Sequence, residues 1–359
     1  MLDPMPFRVL VNSRFGASWI GPLTDDGFQQ AKAEITSWAD YQATPLRELS
    51  GLARAAGLGA IWLKDEAGRF GLGSFKALGG AYAVARAPAE ARVVTCATDG
   101  NHGRAVAWGA QRFGRGCVIF VHETVSQGRV DAIARFGAEV RRVPGTYDDA
   151  VREAARQAEA NGWFVVSDTS WAGYTEVPRL IMQGYRVMAD EVADQWSGDP
   201  PTHVFIQGGV GGVAAAVSAQ MRARFAPAPM LVVVEPDRAA CLLASAELGE
   251  PTAIAGNLDT LMAGLACGEP SLVAWQELDH GAAAFMAIPD AAAVACMRLL
   301  ATEGTVAGES GVAGLAGCLL AAGDLAARET LGLDAGSRIL AFSTEGATDP
   351  VLYKQLVGS

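Results

Sequence analysis

Residues 92–122, RVVTCATDGNHGRAVAWGAQRFGRGCVIFVH, place two strand patterns on either side of a helix pattern. The runs 92–97 and 117–122 are apolar and rich in β-branched residues, which is typical of strands buried on both faces. Between them, residues 101–113 have the composition and length of a helix. This order predicts a βαβ unit, whose two strands run parallel in one sheet.

The same alternation continues along the chain in both directions. Further strands are expected over 60–65, 139–143, 163–166, 203–206, 230–235 and 338–342, and further helices over 47–56, 75–86, 125–136, 147–160, 178–193, 213–225, 239–248, 291–303 and 311–322. Residues 1–40 are expected to wrap the surface. We predict two parallel-sheet α/β domains, a small one over 95–171 inserted into a large one formed by 1–94 and 172–359.

Composition restricts the class of protein. The chain has 359 residues, of which 50% are hydrophobic and 19% charged, so a large core is expected and extensive disorder is not. The net charge of −11 and the lack of a Lys/Arg cluster argue against nucleic-acid binding. No signal peptide or membrane span is recognisable, so we expect a cytoplasmic protein without a membrane partner.

The six cysteines show no CxxC spacing, so a zinc site is not expected and we predict no bound metal. Reduced, buried thiols are the default in a cytoplasmic protein. Cys241 and Cys267 both lie near predicted loops, and a disulfide between them is one hypothesis.

Residues 71–80, GLGSFKALGG, contain one lysine in an otherwise small and uncharged segment. Burial there favours the neutral amine of Lys76, which can attack a carbonyl and form a Schiff base. A lysine whose charged end reaches solvent from a helix start is the alternative. Ser74 is expected to cap the helix that follows.

Four glycines stand among residues 208–212, where a predicted strand enters a helix. Gly208, Gly209, Gly211 and Gly212 flank Val210 and allow backbone N–H groups to approach an anion at the helix N-terminus. The pattern is not the GxGxxG of dinucleotide binders, and it suits a single phosphate. A tight packing turn is the alternative.

Polar residues follow three other predicted strands, at the edge where α/β proteins bind ligands. Thr98, Gly100 and the helix-start residue His102 are candidates for substrate contact, and Asn101 for contact with a phenolic oxygen. Asp99 and Asp168 are candidate acids or bases, or else helix caps. Ser343 and Thr344 each offer a hydroxyl for a pyridine nitrogen.

Together these motifs resemble the pyridoxal phosphate enzymes of the tryptophan synthase β fold, over about residues 40–350. Within them the chain is most similar to the diaminopropionate ammonia-lyases, on the segments 75–80, 98–103 and 168–175. Gly73-Ser74 departs from that pattern, where Asn-Ala is expected. The resemblance implies pyridoxal phosphate as cofactor, an active site between the two domains, and a homodimer.

Carried over residue by residue, the resemblance makes Lys76 the Schiff-base lysine and 208–212 the phosphate loop. It places Asn101 beside the phenolic oxygen of the cofactor and favours Thr344 over Ser343 for the ring nitrogen. It assigns Asp99 to D-substrates and Asp168 to L-substrates.

The expected reaction is α,β-elimination of D- and L-2,3-diaminopropionate to pyruvate and ammonia. The alternatives are a serine/threonine or 3-hydroxyaspartate dehydratase of the same fold, and a cofactor-binding regulatory protein without turnover. A nicotinamide-dependent dehydrogenase is disfavoured by the glycine loop.

Overall fold

The computed structural model describes residues 1–16, 19–98 and 100–358. The strands are β1 (Arg8–Val11), β2 (Leu46–Glu48), β3 (Ala60–Asp65), β4 (Val93–Ala97), β5 (Gly116–His122), β6 (Glu139–Val143), β7 (Phe164–Val165), β8 (His203–Gln207), β9 (Met230–Pro236), β10 (Ala284–Ile288) and β11 (Arg338–Ser343). The helices are α1 (Asp25–Thr36), α2 (Ser50–Ala56), α3 (Ala77–Ala85), α4 (Asn101–Arg112), α5 (Gln127–Ala134), α6 (Tyr147–Asn161), α7 (Glu176–Gln195), α8 (Gly212–Arg224), α9 (Cys241–Leu248), α10 (Leu272–Gly281), α11 (Asp290–Thr302), α12 (Ala313–Gly323), α13 (Leu325–Leu331) and α14 (Pro350–Val357).

The strands form two sheets, which confirms the predicted α/β class. The large sheet has the order β1-β10-β9-β8-β11-β3-β2, and the small one β6-β5-β4-β7. All pairs in the small sheet are parallel, while the large sheet has an antiparallel strand at each edge. The strands of the small sheet lie between Val93 and Val165, near the predicted inserted segment. The domain bounds at 95 and 171 stay a prediction.

The large sheet is buried on both faces, as its continuous apolar strands require. In β9, Val233 contributes to the hydrophobic cluster on one face, whereas Val232 and Val234 contribute to the cluster on the other. Successive side chains of a strand point to opposite faces, so an unbroken valine run fills two cores at once. In the described part of the chain, no helix has the length and apolar character needed to cross a bilayer.

Two stretches contain strands that the sequence interpretation did not predict, and both strands pair at an edge of the large sheet. Residues 1–40 contain α1 and the edge strand β1, which pairs with β10. The stretch expected to be helical from residue 47 begins with β2, which is antiparallel to β3. Arg47 Nε donates to Asp65 Oδ2 at 2.9 Å across this pair.

Candidate active site

The carboxyl ends of β4 and β7 in the small sheet face those of β8 and β11 in the large sheet. Residues at or after the ends of all four strands line one cavity. Such a crevice beyond the strand ends is the usual ligand site of open α/β sheets. Polar groups far apart in the sequence therefore meet in one place.

Lys76 lies in this cavity, directly before α3. Its segment is tied to the end of β11 by two backbone hydrogen bonds, from Phe75 N to Thr344 O at 3.1 Å and from Gly346 N to Gly73 O at 2.9 Å. The predicted cap was wrong, because Lys76 itself is the N-cap residue and Ser74 forms a β-bridge with Glu345. The lysine is therefore held by the large sheet.

Asp168 changes the charge expected for this lysine. Lys76 Nζ donates to Asp168 Oδ2 at 2.5 Å. Burial is the largest single effect and would lower the pKa of Lys76, but the charge of Asp168, together with Tyr185 and the hydrogen bond to Asp168, raises the pKa above its ordinary value. The contact with Asp168 thus opposes the neutral amine that burial favours. Burial opposes ionisation of Asp168 too, but the charge and the hydrogen bond of Lys76 help to hold its pKa below the ordinary value.

His102 approaches the same carboxylate from α4. Its Nε2 lies 2.7 Å from Val166 O, and because a carbonyl only accepts, Nε2 carries the proton. Burial lowers the pKa of His102, which favours the neutral ring. Its Nδ1 therefore presents a lone pair, 3.7 Å from Asp168 Oδ2. This nitrogen can accept a hydrogen bond from Asp168 once the carboxylate has gained a proton.

The loop between β8 and α8 requires glycine at several positions. Gly209 and Gly211 have φ values of 62° and 96°, and a Cβ on Gly208 would lie 2.7 Å from Glu235 Cγ. Gly212 begins α8, whose first N–H groups have no partner within the helix. N–H groups without side-chain cover at a helix N-terminus can bind an anion, so this loop fits the phosphate of pyridoxal phosphate.

Thr344 has a hydroxyl that faces the cavity and is fixed by one neighbour. Gln207 Nε2 donates to Thr344 Oγ1 at 2.5 Å, which leaves the hydroxyl proton of Thr344 for another acceptor. Thr344 lines the cavity, whereas Ser343 is not among the described lining residues and its hydroxyl donates to Glu345 O at 3.4 Å. The donor set therefore fits a pyridine nitrogen at Thr344.

We expect Gly211→Ala to weaken cofactor binding at least about tenfold, because alanine at this positive φ costs on the order of 1–3 kcal/mol. Its Cβ would also lie 3.1 Å from Ala274 Cβ. Titration of the cofactor-free protein with pyridoxal phosphate measures the effect. Gly332→Ala is the matched control, because Gly332 has φ 66° and open space around it. Equal affinity in both variants would contradict the role of the loop.

The other predicted contact residues lie around α4. Thr98, Gly100 and Asn101 line the cavity, and Thr98 Oγ1 accepts hydrogen bonds from Gly100 N and Gly103 N, both at 3.0 Å. Thr98 thus shapes the turn before the helix. Asp99 lies outside the described residues.

The hypothesis of a disulfide between Cys241 and Cys267 was wrong, because both residues are thiols in the structure. The Cys241 thiol is buried and donates to Gly209 O at 3.7 Å, so it faces the glycine loop. Burial raises the pKa of Cys241 well above its ordinary value, which disfavours a reactive thiolate.

The sequence interpretation gave no role to several side chains that line the cavity, among them Gln207, Tyr185 and Glu345. Gln207 ends β8 and Glu345 follows β11. Their positions at the ends of strands were the signal in the sequence that could have identified them as site residues. Their contacts join residues more than a hundred positions apart.

Comparisons with known proteins agree with this geometry. The model of the family described as pyridoxal-phosphate dependent enzyme matches residues 38–335. The diaminopropionate ammonia-lyase of Escherichia coli strain K12 is 39% identical over 367 residues, with 92% of each chain covered. A crystal structure of the Escherichia coli diaminopropionate ammonia lyase in complex with D-serine matches with a TM-score of 0.92 and 35% identity, over 99% of this chain and 97% of that one. Another, in complex with an aminoacrylate-PLP azomethine reaction intermediate, matches with a TM-score of 0.91 and 36% identity, over 98% and 97% of the two chains. The chain therefore belongs to the family of pyridoxal-phosphate dependent enzymes.

Proposed function

We propose that this enzyme is an ammonia-lyase that converts D- and L-2,3-diaminopropionate to pyruvate and ammonia. The observation that carries the proposal is the contact between Lys76 Nζ and Asp168 Oδ2, at 2.5 Å, inside a cavity closed by a glycine loop. This arrangement sets a lysine for the cofactor beside a carboxylate for proton transfer. The likeness to the Escherichia coli lyase supports the choice of substrate.

Residues of this chain would hold the cofactor at three points besides Lys76. Backbone N–H groups of the 208–212 loop would bind the phosphate, except those of Gly208 and Gly211, which donate to Val234 O and Gly208 O. Thr344 would donate to the ring nitrogen, and Asn101 would contact the phenolic oxygen. When bound, pyridoxal phosphate supplies an electron sink for negative charge that develops at the substrate Cα.

Proton transfer at Cα is assigned to carboxylates on opposite faces of the substrate. Asp168 takes the Cα proton of the L-isomer, and Asp99 takes that of the D-isomer. Protonated Asp168 then donates to His102 Nδ1, whose tautomer is held by Val166 O. His102 thereby acts as a positioning residue that keeps the proton away from the lysine.

The substrate-contact role of Thr98, Gly100 and His102 belongs to the same proposal, because all three line the cavity. Ser74 was expected to share this role. It is buried in its bridge to Glu345 and is not among the described lining residues, so it supports the site through the backbone.

We also propose that the enzyme is a cytoplasmic homodimer. The buried thiols fit a reducing compartment, and the family resemblance supports the dimer. Light scattering of the purified holoenzyme should give twice the chain mass of 37.3 kDa. A mass of one chain would contradict the dimer.

The decisive experiment measures pyruvate and ammonia release from D- and L-2,3-diaminopropionate, with L-serine, L-threonine and 3-hydroxyaspartate alongside. We expect rapid release from both diaminopropionate isomers and slow release from the hydroxy acids. Turnover restricted to the hydroxy acids would make the protein a dehydratase. An intact visible cofactor band without turnover of any of them would favour a cofactor-binding protein without this activity.

A further inference from the structure

Glu345 is a buried residue that lines the cavity and has no role in the reaction proposed above. It follows β11 and is 4% exposed. Its Oε1 accepts from Ser310 N at 3.1 Å, and its Oε2 accepts from Asn101 Nδ2. Gly308 N donates to Glu345 O at 2.9 Å, so both its backbone and its side chain are fixed.

This carboxylate forms no ion pair with any residue that the structure describes. The nearest cation in its hydrogen-bonded chain is Arg104, whose Nη2 donates to Asn101 Oδ1 at 2.7 Å, so the Asn101 amide separates the two charges. The neighbouring Glu309 differs, because Arg129 Nη2 donates to its Oε1 at 2.9 Å. A buried charge without a counter-ion is unfavourable, and a cation entering the cavity would relieve that cost.

The raised pKa of the neighbouring Glu309 also indicates negative charge at Glu345. Burial is the largest cause that raises the pKa of Glu309, to about 7, and the charge of Glu345 is the next. Glu309 is not among the described residues that line the cavity, whereas Glu345 is. Asp168 lines it too but already pairs with Lys76. Among the described residues that line the cavity, Glu345 is therefore the carboxylate without a direct ion pair, and the charge of Arg104 interacts with it only across Asn101.

We propose that Glu345 binds the β-ammonium group of the substrate and selects diaminopropionate over β-hydroxy amino acids. This inference rests on the proposed function and names the residue that sets its substrate class. The ligand recognised is a primary ammonium on Cβ of an amino acid.

The charge on Glu345 also explains how ammonia leaves without an acid. A carboxylate beside the β-amino group keeps that group protonated. When the Cβ–N bond breaks, its electron pair stays on nitrogen and neutral NH₃ departs. The electrons of the Cα–H bond form the Cα–Cβ double bond, and the Cα proton passes to the base, Asp168 for the L-isomer. A serine hydroxyl must gain a proton before it leaves as water, and ionised Glu345 has none to give.

Glu345→Gln in the holoenzyme tests this inference, because glutamine keeps the shape and a hydrogen-bonding oxygen but removes the charge. We expect kcat/KM for L-2,3-diaminopropionate to fall about 100-fold, with a raised KM. For 3-chloro-L-alanine, which has a neutral side chain and loses chloride without a proton, kcat/KM should change less than about threefold, and L-serine serves as a second neutral comparator.

Asp349→Asn is the matched control, since it removes one nearby negative charge. Asp349 Oδ1 accepts from Val351 N and Leu352 N at the start of α14, and asparagine can retain that cap. This variant should keep the wild-type preference. Equal losses of Glu345→Gln on charged and neutral substrates, or no loss on diaminopropionate, would overturn the inference. Failure of the proposed function itself would show earlier, as wild-type enzyme inactive on diaminopropionate.

Discussion

Lys76→Ala is expected to abolish turnover of both diaminopropionate isomers, with a loss of at least about 10⁴-fold in kcat. Alanine has no amine to attach the cofactor, so the visible absorbance of the lysine-bound cofactor should vanish as well. The side chain occupies the cavity at 2.5 Å from Asp168, and in the described chain no other lysine lines that cavity. Pyruvate formation and the absorbance spectrum measure the two effects.

The alanine variant also leaves Asp168 buried without its cation, which costs stability. Lys76→Arg is the control for that effect, because arginine retains a positive charge near Asp168 but stays protonated and cannot act as an amine. We expect Lys76→Arg to melt closer to the wild type than Lys76→Ala does, and to be equally inactive. Substantial pyruvate formation by either variant would show that turnover does not require the Lys76 amine.

Much of this site could be predicted from local sequence, because its loops are short segments between regular elements. The apolar run of β8, the glycines after it and the helix α8 stand together in the chain, and each signal is local. The same holds for β4, the polar turn after it and α4. Strand ends of a parallel sheet meet at one edge, so the motifs could be expected to meet there.

Charge states could not be predicted in the same way, because they depend on distant partners. Asp168 is 92 positions from Lys76 in the sequence. Its carboxylate lies beside the amine and opposes the fall in the Lys76 pKa that burial would cause. Glu345 is 244 positions from Asn101, and nothing near it in sequence indicates that it lacks a direct ion pair among the described residues.

A second buried charge cluster behind the lysine segment was missed for the same reason. Lys64 Nζ lies 2.7 Å from Glu191 Oε2, and Arg69 Nη2 lies 2.8 Å from the same oxygen. Lys64 follows four apolar residues of β3, and its partner Glu191 comes from α7. Removing one member would leave its partners buried and uncompensated, so the cluster stabilises the packing of β3 against α7.

Asp168→Asn is expected to reduce kcat/KM for L-2,3-diaminopropionate at least about 100-fold, since general-base catalysis contributes roughly 10²–10⁴-fold. Asparagine has nearly the same shape, so the cavity should keep its form. The amide cannot take a proton, and it also removes the charge that raises the pKa of Lys76. The D-isomer should lose less than about tenfold, because its Cα proton points to the opposite face.

The comparison of isomers separates a base from a merely structural carboxylate. If Asp168 is only the counter-ion of Lys76, its loss impairs cofactor attachment and lowers activity on both isomers equally. If Asp168 is a base, its loss lowers activity only on the isomer whose Cα proton faces it. Asp40→Asn is a suitable control, because Asp40 makes a surface ion pair with Arg112 at 3.2 Å and its side chain is 65% exposed. Equal losses for the two isomers in Asp168→Asn would defeat the two-face assignment and leave Asp168 as the counter-ion of Lys76. A selective loss of the L-isomer would make Asp168 its base and leave the D-isomer to a second group.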